Sequence, residues 1–186
     1  MVRIRLAIES DRPALAELIP VSARGLSRGY YSDAQTESAI LHVFGTDSRL
    51  IADGTYFVAE EVEDGGGDGR LVGCGGWSRR RTLYGGDQMK SSEDPLLDPE
   101  TEPARIRAFF VRPDCARRGI GSRILQACLD AAGAAGFRRV TLASTLPGVP
   151  FYEAFGFEER ERFEIPLPEG VNLPIVRMER AVSREP

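Results

Sequence analysis

The chain has 186 residues, a formal net charge of −4, and 42% hydrophobic and 28% charged residues. That length suits one domain with one core, and the composition is that of a soluble globular protein. The acidic balance weighs against general nucleic-acid binding. No apolar run is long enough to cross a bilayer, and the N-terminus has no apolar stretch followed by a small-residue cleavage site, so no secretory signal is expected. Three scattered cysteines (Cys74, Cys115, Cys128) and a single histidine, His42, form neither a disulfide framework nor a metal site. No metal is expected, and a reducing cytoplasm is the expected compartment.

Residues 2–8 alternate Val2, Ile4, Leu6 and Ile8 with Arg3 and Arg5, which predicts a strand. Ser10 or Asp11 caps a helix that begins near Pro13 and ends near Gly25. A second helix is expected over 32–44, and a second strand over 55–62. The glycine run from Asp64 to Gly69 reads as a turn between strands, with the third strand over 70–80. Residues 85–103 hold six acids, three prolines and Lys90, the only lysine. They read as a long exposed loop, either a solvated insertion or part of an acceptor site.

A fourth strand is expected over 104–111, ending before Pro113. A helix follows over 118–135, with Gly136 as its C-terminal stop, then a fifth strand over 138–143. A short helix over 149–155 leads into two closing strands, 157–166 and 173–181. Only the strand–helix–strand unit at 104–143 demands a parallel pair. The fold class is therefore α/β (α+β): a mixed central sheet of about seven strands with helices on both faces.

The strongest signal lies at 109–122. An apolar strand runs through Phe109, Phe110 and Val111 into a turn, and a helix starts from that turn at Ala116-Arg117-Arg118-Gly119-Ile120-Gly121-Ser122. The first amides of a helix lack internal partners and, with the helix dipole, form an anion site. Gly119 and Gly121 keep side chains away from a pyrophosphate approaching those amides. Between Arg105 and Arg123 there are six arginines and one acid. The third glycine and distant acid of a dinucleotide fold are missing, as is the Gly-Lys-Ser/Thr of a nucleoside-triphosphate loop.

Residues 104–157 resemble the core of the GCN5-related N-acetyltransferase (GNAT) superfamily. The resemblance rests on Ala-Arg-Arg-Gly-Ile-Gly at 116–121, on Phe-Tyr-Glu-Ala-Phe-Gly-Phe at 151–157, on their spacing, and on the element order along nearly the whole chain. Ala116 departs from the family pattern, which has Gln or Arg at that place; Arg117 or Arg118 is the expected substitute.

The resemblance implies one acyl-CoA domain over 1–186. Its cosubstrate would be acetyl-CoA, and its acceptor a primary amine on a small molecule. The pantetheine arm would borrow the backbone of Phe109, Phe110 and Val111. A bulge there would splay the fourth strand from the fifth. It also implies that Tyr152 sits near the CoA sulfur as general acid. Phenol and thiol reference pKa values of about 10 and 8.5 make full proton transfer uphill by roughly 2 kcal/mol, so hydrogen-bonding the leaving thiolate is the safer description. Packing in the core is the plainer reading of Tyr152, Phe109 and Phe110. Ser144 and Thr145, ending the fifth strand, could hold a water or the pantetheine. The base is not evident: Glu102, the acids of the loop, Glu153, His42 and a water relay are all open. Cys115 and Cys128 read as small core fillers. The last strands leave an edge through which a homodimer could form. A non-catalytic acyl-CoA sensor on the same scaffold is the alternative function.

Overall fold

The computed structural model describes residues 1–62 and 69–182. Seven strands make one mixed sheet: β1 (Val2–Leu6), β2 (Tyr56–Glu61), β3 (Arg70–Ser78), β4 (Ala104–Val111), β5 (Arg139–Thr145), β6 (Glu158–Pro166) and β7 (Asn172–Ala181). Their spatial order is β1-β2-β3-β4-β5-β7-β6. The helices are α1 (Arg12–Leu26), α2 (Asp33–His42), α3 (Ser48–Ala52), α4 (Ile120–Ala134) and α5 (Val149–Ala154). The expected turn from Asp64 to Gly69 lies, apart from Gly69, outside the described residues.

The expected cap of α1 is not made: Asp11 precedes the helix, but its side chain accepts from the Ile8 amide and pairs with Arg5 instead. Other local signals act as their chemistry requires. Ser32 caps α2 by accepting from the Gln35 amide, and the Gln35 side chain accepts from the Ser32 amide in return, which satisfies two orphan donors. Gly136 takes a φ of +93° just past α4, the left-handed stop that glycine adopts at low cost. Helix α3 is absent from the sequence reading. It is five residues long, too short for a periodic signal, and it is started by Asp47, whose side chain accepts from the Leu50 amide.

Helices cover both faces. On one, Leu15, Leu18 and Ile19 of α1 meet Tyr56, Val58, Leu71 and Cys74. On the other, Ile120, Ile124, Leu125 and Cys128 of α4 meet Ala59, Val72, Ile106, Val140 and Leu142. At one sheet edge, β6 exposes Glu158, Glu159, Arg160, Glu161 and Arg162, and such charges discourage pairing by another sheet.

The break that matters is in β4. Gly76 pairs with Arg107 and Cys74 with Phe110, so β4 carries one extra residue between these pairs. Ala108 absorbs it at a φ of +54°. The bulge reverses which residues face which helix: Ile106 packs with the α4 cluster, whereas Ala108 and Phe110 pack toward α1 and Phe109 toward α4. The parallel pairing of β4 with β5 is confined to Ala104–Val140 and Arg105–Thr141. Beyond it the two strands splay apart.

Residues 85–103 are less exposed than the sequence suggests. Asp94 and Leu97 are buried, and Leu96 bridges Arg80. The Gly86 and Asp87 amides donate to the carbonyls of Val43 and Thr46. Asp87 accepts from the amide and hydroxyl of Ser48.

Candidate active site

The splay opens a cavity of about 480 Å³. One end is bounded by β4 past its bulge, the turn into α4, and the end of β5 with α5. The other is bounded by α1, the 43–45 and 83–86 segments, and the β6–β7 pair.

At the first end, Arg117 takes a φ of +61° and Gly119 a φ of +75°, with Gly119 preceding α4 as its cap. Alternation of this kind turns successive amides toward one concavity, an anion nest, and it adds to the dipole at the start of a 15-residue helix. A side chain built on Gly119 would meet nothing within 4 Å, so the backbone faces open space. These features fit a pyrophosphate.

Of the predicted residues, Phe109, Phe110, Val111, Ala116, Arg117, Gly119, Ile120, Gly121, Ser122, Ser144 and Tyr152 all line this cavity. Arg118 is not among the lining residues: its guanidinium bonds Glu61 at 3.1 Å. Arg117 makes no ion pair among the described residues and lines the cavity, so it is the better placed of the two. The Val111 amide is already committed, donating to Ser22 Oγ at 3.1 Å. Ser22, Phe44, Tyr84, Arg107, Ile165 and Ile175 also line the cavity. No sequence signal singled them out, because they come from separate elements that only the fold brings together.

Tyr152 sits in a chain of rings, with centroids 6.2 Å from Phe109, 5.1 Å from Phe151 and 5.5 Å from Phe157. Phe109 itself lies over Gly75, where a side chain would overlap its ring. Tyr152 is thus both a core residue and a wall of the cavity. Burial, with a smaller contribution from Cys128, pushes its phenol above the ordinary tyrosine value, so it stays protonated at neutral pH. The Ser144 hydroxyl donates to the Thr145 carbonyl at 2.7 Å.

The sequence profile of the Acetyltransferase (GNAT) family matches residues 24–157. The chain belongs to this family. The fold agrees with solved GNAT structures. A GCN5-related N-acetyltransferase from Rhodopseudomonas palustris superposes with a TM-score of 0.67 at 19% identity, covering 96% of this chain and 94% of that one. The PaiA N-acetyltransferase of Thermoplasma acidophilum, solved with coenzyme A, gives 0.63 at 16% identity, covering 97% and 99%. The ribosomal-protein-S18-alanine N-acetyltransferase of Escherichia coli gives 0.59 at 15% identity, covering 100% and 97%. No curated protein matches the sequence.

As a GNAT acetyltransferase the chain needs a route for the amine's proton. Among the described residues no carboxylate and no histidine lines the cavity. Glu102 instead caps its own turn through the Asp98 amide and pairs with Arg81 at 3.5 Å. Glu153 is exposed and His42 half-buried, both outside the lining. Among the described residues, no helix is long and apolar enough to cross a membrane.

Proposed function

We propose that the whole chain works as one domain, an N-acetyltransferase that moves the acetyl group of acetyl-CoA to a primary amine on a small molecule, by direct attack within a ternary complex. The observation that carries this reading is a single slot with an anion nest at one end and a buried, protonated tyrosine on its wall. Acetyl-CoA supplies an acyl carbon already activated as a thioester.

The chain's residues then have separable tasks. The amides at 117–122 and Arg117 hold the pyrophosphate. The backbone of Phe109 and Phe110, freed from β5 by the splay, aligns the pantetheine arm. Tyr152 donates a hydrogen bond to the sulfur as the C–S bond breaks and the C–N bond forms. Because burial raises the phenol, complete proton transfer to the thiolate is more uphill than reference values give. Stabilising the developing charge is therefore its main contribution. The acceptor loses its extra proton to water, since among the described residues the cavity walls supply no carboxylate or imidazole. The three cysteines are free and buried, which fits a reducing cytoplasm.

The test is thiol release from acetyl-CoA against a panel of amines, for wild type and Tyr152→Phe. Amine-dependent release that falls by about one to two orders of magnitude in the variant is expected. An unchanged rate in the variant would remove Tyr152 from the chemistry. Tight CoA binding with no release for any amine would favour the sensor alternative.

A further inference from the structure

The acceptor end of the cavity differs in character from the CoA end. Its walls are Leu26, Phe44, Tyr84, Ile165 and Ile175, contributed by α1, the two crossing loops and the β6–β7 pair. The Tyr84 ring lies tilted against Phe163 with centroids 5.9 Å apart, and Phe44 meets Phe110 edge-on at 5.7 Å, so the walls are packed aromatic and aliphatic surface.

The charged side chains lining the cavity are Arg107 and Arg117. Asp47, the carboxylate paired with Arg107 at 2.9 Å, is fully buried and also holds Lys90. It does not itself line the cavity. Four of the six acids of the neighbouring loop are likewise engaged: Asp87 by Ser48 and Lys90, Asp94 by Arg49, Glu100 by Arg138 and Glu102 by Arg81. Glu93 and Asp98 are exposed and do not line the cavity. The Arg107 Nε is buried without a hydrogen-bond partner.

We infer that the acceptor is an apolar-bodied monoamine: one amino group on an aromatic or aliphatic frame, with no second cation. The inference rests on the N-acetyltransferase reading of the same cavity. A second ammonium would be stripped of water against aromatic walls or held beside Arg107, with no carboxylate to receive it. An apolar frame gains by the same burial. Desolvation against the apolar walls also disfavours the protonated form of the reacting amine, which helps to present a neutral nucleophile. The acidic loop, which by composition alone would suit a cationic acceptor, pairs four of its six acids with the protein's own arginines and lysine, and the other two, Glu93 and Asp98, lie outside the cavity lining.

The experiment compares phenethylamine and hexylamine with putrescine and spermidine on the full-length chain. Initial rates of thiol release give kcat/KM, and calorimetry on the CoA-saturated protein gives affinity. The apolar amines are expected to lead by about a hundredfold in kcat/KM, the scale on which burying a ring or stranding a charge acts. They are expected to bind at least tenfold tighter. Equal or better turnover and binding of spermidine overturns the inference. If no amine is acetylated, the enzymatic reading fails, and the calorimetric order still decides the inference. No binding by either class overturns it. Leu83→Glu adds a carboxylate at a half-buried lining position. It should shift the spermidine-to-phenethylamine ratio at least tenfold toward spermidine while leaving CoA affinity unchanged, and an unmoved ratio counts against the inference.

Discussion

The hydroxyl of Tyr56 donates to the carbonyl of Ala108 at 3.2 Å. Tyr56 is fully buried beneath β3 and α1, while Ala108 is the residue whose positive φ makes the β4 bulge. The Cys74 thiol reaches the same carbonyl at 3.7 Å. The bulge that opens the cavity is therefore held by side chains on the α1 side of the sheet that do not themselves line the cavity.

Tyr56→Phe keeps the ring and removes the bond, leaving the Ala108 carbonyl to the weak thiol donor. We expect a stability loss of about 1–3 kcal/mol, the usual cost of a buried polar group left short of a partner. KM for acetyl-CoA should rise severalfold, because the backbone of Phe109 and Phe110 follows the bulge. Urea unfolding and steady-state kinetics check both. A stability loss with unchanged KM would show that the bulge holds without this latch.

Arg117 and Arg118 are adjacent but do different work. Arg117 lines the cavity, whereas Arg118 reaches back to Glu61 at 3.1 Å. Arg117→Ala should weaken CoA binding about tenfold, within the range for a lost charge-assisted contact, and should flatten its salt dependence. Arg118→Ala should change affinity less than threefold. Calorimetry with CoA at two salt concentrations distinguishes them, and the reverse order would reassign the phosphate contact to Arg118.

How much of this was legible in the sequence varied with the range of the interaction. Local signals such as Ser32 and Gly136 act within one turn, and they fall at the start of α2 and just past the end of α4. The turn into α4 was legible because Gly119, at a φ of +75°, is needed by the backbone itself; Gly121 takes an ordinary helical place where the nearest atom a Cβ would meet is on Phe151 at 3.4 Å. The bulge came only through family resemblance, since nothing in Ala108 announces a positive φ; its carbonyl is bonded by a tyrosine 52 residues away. The separate fates of Arg117 and Arg118 depend on Glu61 at the end of β2, which only the fold brings close. The acidic loop misled in part for the same reason: Asp87 and Asp94 looked solvated until Ser48 and Arg49 met them, whereas Glu93, Asp98 and Glu100 are exposed as expected.

Stability should fall on the alkaline side. Burial pushes the Cys74 thiol from 9.0 up to about 12 and the Tyr31 phenol from 10.0 up to about 12. The folded protein therefore keeps these protons where the unfolded chain releases them. Their contribution is fully present below about pH 9 and is lost as pH rises toward 12, at up to about 1.4 kcal/mol per pH unit for each proton. Urea midpoints should be flat from pH 7 to 8.5 and decline from pH 9. Burial raises the Cys128 thiol as well, so Cys74→Ala should make the decline between pH 9 and 10 shallower without moving its onset. A midpoint constant to pH 11 would contradict this.

Lys90 fixes the wall of the acceptor end. Its side chain is only 12% exposed and contacts Asp47, with Asp87 at 3.2 Å. Asp47 in turn caps α3 and pairs with Arg107. Lys90→Met leaves Asp47 with Arg107 and the Leu50 amide but without its ammonium. The loss should be about 2 kcal/mol, less than the roughly 3–5 kcal/mol of a wholly uncompensated buried charge. The 85–90 segment, no longer anchored, should loosen against 43–48, so KM for the amine rises severalfold while KM for acetyl-CoA stays put. Lys90→Arg should recover most of both. A variant that melts lower but keeps its amine KM would make Lys90 a purely structural residue, because the acceptor wall would then hold its shape without the ion pair.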